Sequence, residues 1–167
     1  NGSISYSISY TDSDGNSVIP VTSGSGSVTF DKTSPQITSV TSSKSDGTYK
    51  EDDIIPIQIL FDETVVVTGI PKLTLETGST DRVVNYSSGS GSNTLTFNYT
   101  VQSGDTSSDL DYKATTSLFL NGGSIKDLAG NNADLTLTAP GNTNSLGSNQ
   151  SIIIDTTSPT MTITSSD

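Results

Sequence analysis

The sequence contains no cysteine, no histidine and no tryptophan, and these absences exclude several kinds of chemistry. Without cysteine there is no disulfide, no thiol nucleophile and no thiolate ligand for zinc. Without histidine the chain lacks the commonest general base and the imidazole ligand of transition metals, so a Ser-His-Asp triad is excluded. The lack of cysteine leaves the cellular compartment open, because a domain of this size folds without disulfides when its core is adequate.

Basic residues are also scarce, with 7 Lys and Arg against 18 Asp and Glu and a formal net charge of −11. This excess of negative charge repels phosphate backbones and anionic membrane surfaces, so we expect no nucleic-acid partner. No apolar run approaches the ~18 residues of a membrane span, so no membrane insertion is predicted in this segment. The same acidity favours solubility and the capture of divalent cations.

Alternation of apolar and polar residues is the main pattern that the sequence does contain. Leu95, Phe97, Tyr99 and Val101 alternate with polar residues, which is typical of a half-buried strand, and no segment has a convincing helical period. Many short strands between turn residues predict an all-β, immunoglobulin-like antiparallel β-sandwich. The predicted strands are 4–10, 27–30, 36–41, 54–61, 64–68, 72–76, 82–86, 95–101, 117–120, 124–126, 133–138 and 150–154.

An internal repeat indicates a modular array. The segment Asp31–Pro35 (DKTSP) recurs as Asp155–Pro159 (DTTSP), and each copy follows a Gly-Asn turn and a strand and precedes a new strand. The predicted organisation is two C-terminal strands of a preceding domain (1–31), a linker (32–35), one complete domain (36–155), and a linker with the first strand of a following domain (156–167).

Several runs resemble the immunoglobulin-like tandem repeats of large bacterial and archaeal cell-surface proteins, of adhesin, surface-layer or surface-motility type. The runs are TDSDGN, VTFDKTSPQITSV, ILFDETVVVTGIPKLTLETG, YSSGSGSNTLTFNYTVQSGDTSSDLDY, LNGGSIKDLAGN and SIIIDTTSPT. The resemblance implies an extracellular, cell-surface location and neighbouring domains of the same chain as partners. It also implies a structural or adhesive role, with calcium stiffening the domain junctions.

Acidic loops are the candidate metal sites, because calcium takes oxygen ligands from carboxylates, amides and backbone carbonyls. The four groups are Asp12, Asp14 and Asn16; Glu51, Asp52 and Asp53; Asp105, Asp109 and Asp111; and Asp31, Asp127, Asn131 and Asp155. Three of the four groups also have a simpler interpretation. The first is also a typical Asx turn, the second a solvated loop, and the repeated aspartate a turn that caps a strand.

Fold analogy arranges these groups into two calcium junctions. A turn at 127–131 faces the preceding domain, on the side where Asp31 enters. The loops at 51–53 and 105–111 lie near the exit of the domain, close to Asp155. Each junction is only partly contained in this sequence, and the ligand assignment depends on the fold analogy.

A non-enzymatic role is the favoured interpretation. Asp62 and Glu63 are neighbours and point to opposite faces of a strand, so they do not form the carboxylate pair of a glycosidase. Three alternatives stay open. One is a surface-layer or filament block, assembled head to tail with other copies by strand complementation. The second is a carbohydrate-binding module, and the third is an accessory domain of an exported enzyme. Candidate aromatic residues for an unknown surface ligand are Tyr6, Tyr10, Tyr86 and Tyr99.

Overall fold

The computed structural model describes residues 2–3, 11, 13–15 and 29–163, and the chain divides into two compact units, Asn1–Thr33 and Ser34–Asp167. In the first unit, β1 (Gly2–Ser3) pairs antiparallel with β2 (Thr29–Phe30). The predicted strand at 4–10 and the first half of that at 27–30 lie outside the described residues. The unit boundary falls within the predicted linker, 32–35.

The second unit is all-β, with a curled antiparallel sheet, as the alternation predicts. Among its described residues there is one helix, α1, of four residues. The elements are β3 (Ile37–Ser42), β4 (Gly47–Tyr49), β5 (Ile54–Thr68), β6 (Lys72–Glu76), β7 (Arg82–Ser88), β8 (Ser92–Thr100), β9 (Thr106–Ser107), β10 (Asp111–Tyr112), β11 (Leu118–Phe119), β12 (Ser124–Lys126), α1 (Leu146–Asn149) and β13 (Ile152–Asp155).

Strand β5 is the centre of the sheet. Its first half pairs with β3 and its second half with β12, while β8 runs along its other side. The sequence predicts two strands here, at 54–61 and 64–68, but the structure has one. The pairing with β8 shifts register between Leu60 and Val65, and such an irregularity lets a strand bend without ending. Pro56 lies near the start of β5, where proline is tolerated.

Strand β7 changes partners along its length. It pairs with β8 at Tyr86–Phe97 and Ser88–Thr96, whereas its first residues pair with β6, from Arg82 opposite Leu75 onward. On its far side β6 pairs with β10 and β11. A smaller sheet consists of β4, β13 and β9, in which β4 and β13 are parallel.

The core comes from the inward-facing residues of these strands. Ile55, Ile57 and Ile59 of β5 and Phe97 and Tyr99 of β8 are all fully buried. Burying each aliphatic or aromatic side chain of this size stabilises the fold by about 1.5–3 kcal/mol. Tyr112, also fully buried, donates its hydroxyl to the carbonyl of Thr138 at 2.6 Å, which ties β10 to a distant loop.

Several segments differ from the sequence prediction. Strands β4, β9 and β10 lie where no strand is predicted, and residues 160–163, in the predicted first strand of a following domain, are not a strand. The segment 133–138 is not a strand, because its amides bond to separate elements: Ala133 to Ile125 and Leu137 to Thr115, for example. Helix α1 has no counterpart in the prediction. Ser145 caps it by accepting a hydrogen bond from the amide of Ser148 at 3.3 Å.

Candidate functional site

Two predicted ligand residues, Asp109 and Asp111, converge on Gly147 of α1. A Cβ atom added to Gly147 would lie 3.2 Å from Oδ2 of Asp109 and 3.2 Å from Oδ2 of Asp111, so the two oxygens approach one point. Asp46, in the turn before β4, contributes a third carboxylate, which interacts electrostatically with Asp109. Asp109 and Asp111, which come from one segment, and Asp46, which comes from another, are together called here the Gly147 cluster.

Backbone hydrogen bonds hold this cluster in place. Asp111 accepts from the amide of Tyr112 at 2.8 Å through Oδ1 and from the amide of Gly141 at 3.0 Å through Oδ2. Asp46 accepts from the amide of Ser151 at 2.8 Å. Asp111 is 9% exposed, whereas Asp46 and Asp109 remain accessible to solvent. An ion could reach the cluster without unfolding the surrounding loops.

Crowding of negative charge acts on Asp109. Loss of solvent around its carboxyl group, together with the nearby charges of Asp111 and Asp46, raises the pKa of Asp109 above its ordinary value. The ionised form is thus less stable than it would be in water, and a bound cation would reverse this effect. Carboxylate oxygens of this kind are among the ligands that calcium takes in proteins.

Asp105, predicted to belong with Asp109 and Asp111, has a different environment. It is 1% exposed and accepts from Nε of Arg82 at 2.7 Å, the hydroxyl of Tyr99 at 2.6 Å and the amide of Gln102 at 2.9 Å. Burial and the bond to Asp105 raise the pKa of Tyr99, which stays protonated. Both carboxylate oxygens of Asp105 therefore have protein donors, as in a structural ion pair.

Each of the loops predicted near the exit of the domain is hydrogen-bonded to another segment. Asp52 and Asp53 exchange backbone hydrogen bonds with Val101, at 2.9 Å each. The hydroxyl of Thr156, just after β13, donates to the carbonyl of Asp105 at 2.9 Å. The side chain of Asp53 accepts from the amide of its own turn, and Glu51 and Asp52 are exposed.

Asp127 and Asn131 form a closed turn at the end of β12. Asp127 accepts from the amide of Asn131 at 2.8 Å and from its side-chain nitrogen at 2.6 Å. Burial opposes ionisation, but the hydrogen bonds from Asn131, Gly130 and Ala129 outweigh it and lower the pKa of Asp127. A carboxylate oxygen of Glu63 lies within 4.8 Å of one of Asp127, which makes a second acidic pair.

The repeated aspartates adopt the same local geometry in both copies of the repeat. Asp31 accepts from the amide of Thr33 at 2.9 Å, and Asp155 accepts from the amide of Thr157 at 2.9 Å. Hydrogen bonds from Thr157 lower the pKa of Asp155. Each copy is therefore an Asx turn that follows a strand, which is the simpler interpretation of these residues.

Of the first predicted group, Asp12 and Asn16 lie outside the described residues. Asp14 is exposed, next to Gly15 at φ 84°, in a turn. Asp46 and Glu63 were not among the predicted ligands. Asp46 lies in a Ser-Asp-Gly turn of ordinary composition, and only tertiary structure brings it to Asp109.

Comparison with known proteins identifies no relative: no family model matches the chain, and no curated protein or solved structure is significantly similar to it. Among the described residues there is no helix long and apolar enough to cross a membrane. In the same part of the chain every buried side-chain nitrogen or oxygen atom has a hydrogen-bond partner. The functional argument therefore depends on the geometry of the acidic groups.

Proposed function

We propose that this chain is an immunoglobulin-like module of an extracellular tandem-repeat protein, with a structural or adhesive role, and that calcium stabilises it. The module forms part of a stalk and performs no catalysis. The all-β fold and the Asx turn that follows a strand in both copies of the repeat support this proposal.

The convergence of Asp109 and Asp111 on Gly147, beside Asp46, is the observation that carries the calcium proposal. Calcium takes six to eight oxygen ligands in flexible geometry, and exposed loops with several carboxylates provide them. Binding links β10 to the turn before β4, because Asp109 and Asp111 come from the first segment and Asp46 from the second. The ion thereby favours the folded arrangement of the loops over looser ones.

Calcium titration by calorimetry on chelator-treated protein, with thermal melting in parallel, tests this proposal. We expect saturable heat and a higher melting temperature, since a ligand at 100 times its Kd stabilises the native state by about 2.7 kcal/mol. Asp109→Asn should remove both effects, whereas the control Asp134→Asn, an exposed aspartate in another loop, should retain them. Absence of both effects in the parent chain would leave the acidic loops as solvated surface.

Assembly with other copies is a second candidate role. In the segment after β13, Met161 and Ile163 alternate with threonines and are 83% and 81% exposed. Alternating apolar residues without a partner strand are typical of a strand that pairs elsewhere, in the next repeat or in another copy. Concentration-dependent, head-to-tail association in sedimentation experiments would favour a lattice or filament over a stalk of independent modules.

A further inference from the structure

A polar groove opens where β7 and β8 separate. The two strands pair at Tyr86 and Phe97. Before Tyr86, β7 lies beside β6, and after Phe97, β8 lies beside β5. The groove between them has a volume of about 370 Å³, within the range of small-molecule sites. All of its lining residues except Gln102 lie on β7 or β8, and strands hold binding groups more rigidly than loops do.

The groove presents a mixture of hydrogen-bond donors and acceptors. Its lining includes three amide side chains and two hydroxyls, all from residues that are exposed or partly exposed: Asn85, Asn98, Gln102, Ser87 and Thr100. The side-chain nitrogen of Asn98 donates to the hydroxyl of Ser87 at 3.0 Å, which orients both groups across the groove. An amide carries two N–H donors and a carbonyl acceptor, so this bond leaves most of the capacity of Asn98 for a ligand.

Arg82 is the only arginine of the chain and the only charged residue that lines the groove. Its Nε is paired with Asp105 at 2.7 Å, and its side chain is 24% exposed. The buried carboxylate neutralises the guanidinium, whose terminal nitrogens still supply donors in a fixed plane. The groove is therefore rich in hydrogen-bonding groups and carries no net charge.

We propose that this groove binds a neutral sugar. Each sugar hydroxyl both donates and accepts, which matches the mixed amides and hydroxyls, and an uncharged ligand avoids repulsion by a chain of net charge −11. A sugar ring also has apolar C–H faces. Val83, 52% exposed, and Tyr86, whose ring packs edge-on against Phe97, give these faces apolar contacts in the same groove. This proposal is independent of the calcium proposal, because none of the residues that line the groove belongs to the Gly147 cluster.

An array of immobilised neutral and acidic oligosaccharides tests the proposal, with Asn98→Ala as the variant and Asn93→Ala as its control. Both asparagines lie on β8, both are exposed, and each has one side-chain hydrogen bond, but only Asn98 lines the groove. The protein should come from a host without N-glycosylation, because Asn85 and Asn98 each begin an Asn-X-Ser/Thr triplet.

We expect the parent chain to bind neutral glycans, Asn98→Ala to weaken binding about tenfold, and Asn93→Ala to match the parent. Calcium-dependent melting should be unchanged in both variants, which separates this site from the metal site and shows that both are folded. Binding to acidic glycans alone, binding that survives Asn98→Ala, or no binding to any glycan would each overturn the proposal.

Discussion

Asp109 is the residue where the electrostatics of the Gly147 cluster can be tested most directly. Its carboxyl group is partly desolvated and faces the charges of Asp111 and Asp46, and its pKa in the folded chain is raised. A raised carboxyl pKa means that the folded state binds the proton more tightly than the unfolded state does. Without calcium, the ionised group therefore lowers stability once the pH exceeds its unfolded value of about 3.9.

Replacing Asp109 by Asn should consequently change stability in opposite directions with and without calcium. In chelator near pH 7 we expect the variant to melt above the parent, because one of three like charges is gone. The difference should disappear below about pH 3.9, where the parent carboxyl is neutral in both states. In excess calcium the variant should melt below the parent, because it has lost a ligand.

The measurement is a set of thermal melts of both proteins. In chelator the melts are recorded at pH 7 and pH 3, and in calcium they are recorded at neutral pH. High salt should shrink the chelator difference, since screening weakens interactions between accessible charges. If the variant's melting temperature differs from the parent's in the same direction with and without calcium, the arrangement of charges described here is contradicted.

Asp105 has a different environment from the aspartates that follow it in the sequence. It lies four residues before Asp109, yet it is buried against Arg82 and Tyr99. Removing one partner of such a buried pair is typically strongly destabilising, because the other charge is left uncompensated. Asp105 therefore stabilises the fold, and it also supports the groove by holding Arg82, which lines it.

At the scale of elements, β5 is the strand on which the sheet depends. It pairs with β3, β12 and β8, and its inward residues are fully buried while its outward residues meet solvent. The same strand consequently offers isoleucines in both environments. Ile57 is fully buried and Ile54 is 51% exposed.

Ile57→Ala should destabilise the chain by about 2–5 kcal/mol, because it removes buried surface and leaves a cavity. Ile54→Ala, the same substitution three residues earlier, should cost much less, since its side chain is already half in water. Urea unfolding of the two variants beside the parent measures the difference. Equal losses would mean that the burial pattern of β5 is different from that described here.

At the scale of the whole molecule, the chain combines a repeat motif with an acidic surface. The two Asx turns at Asp31 and Asp155 repeat the same local geometry, although each is described within its own unit. The notion of calcium at the junctions between repeats remains a prediction.

Removal of calcium should make the chain easier to digest. Cleavage of loops requires local opening, and an ion that links separate loops makes such opening less frequent. Digestion by a protease that does not itself need calcium should be faster in chelator than in calcium. The rate for Asp109→Asn should be the same in both conditions, and equal rates for the parent chain would contradict calcium stabilisation.

The sequence by itself determined the all-β class and the classes of chemistry that the chain lacks. Strand alternation has a period of two whatever the partners are, so Leu95 to Val101 indicated a strand without knowledge of its neighbours. The absence of histidine and cysteine excluded their chemistry regardless of structure. The bounds of β6 and β12 agree with the prediction, because turn residues flank both strands.

Only the tertiary structure decided which acidic residues share a site. It joined two predicted strands into β5, buried Asp105 against Arg82, and brought Asp46 to Asp109 and Asp111. It also determined where the groove between β7 and β8 lies, because β7 changes partner at Tyr86. The physical reason is the same in each case. These features depend on which strands pair and where register shifts, and pairing between residues far apart in the chain leaves no local pattern in the sequence.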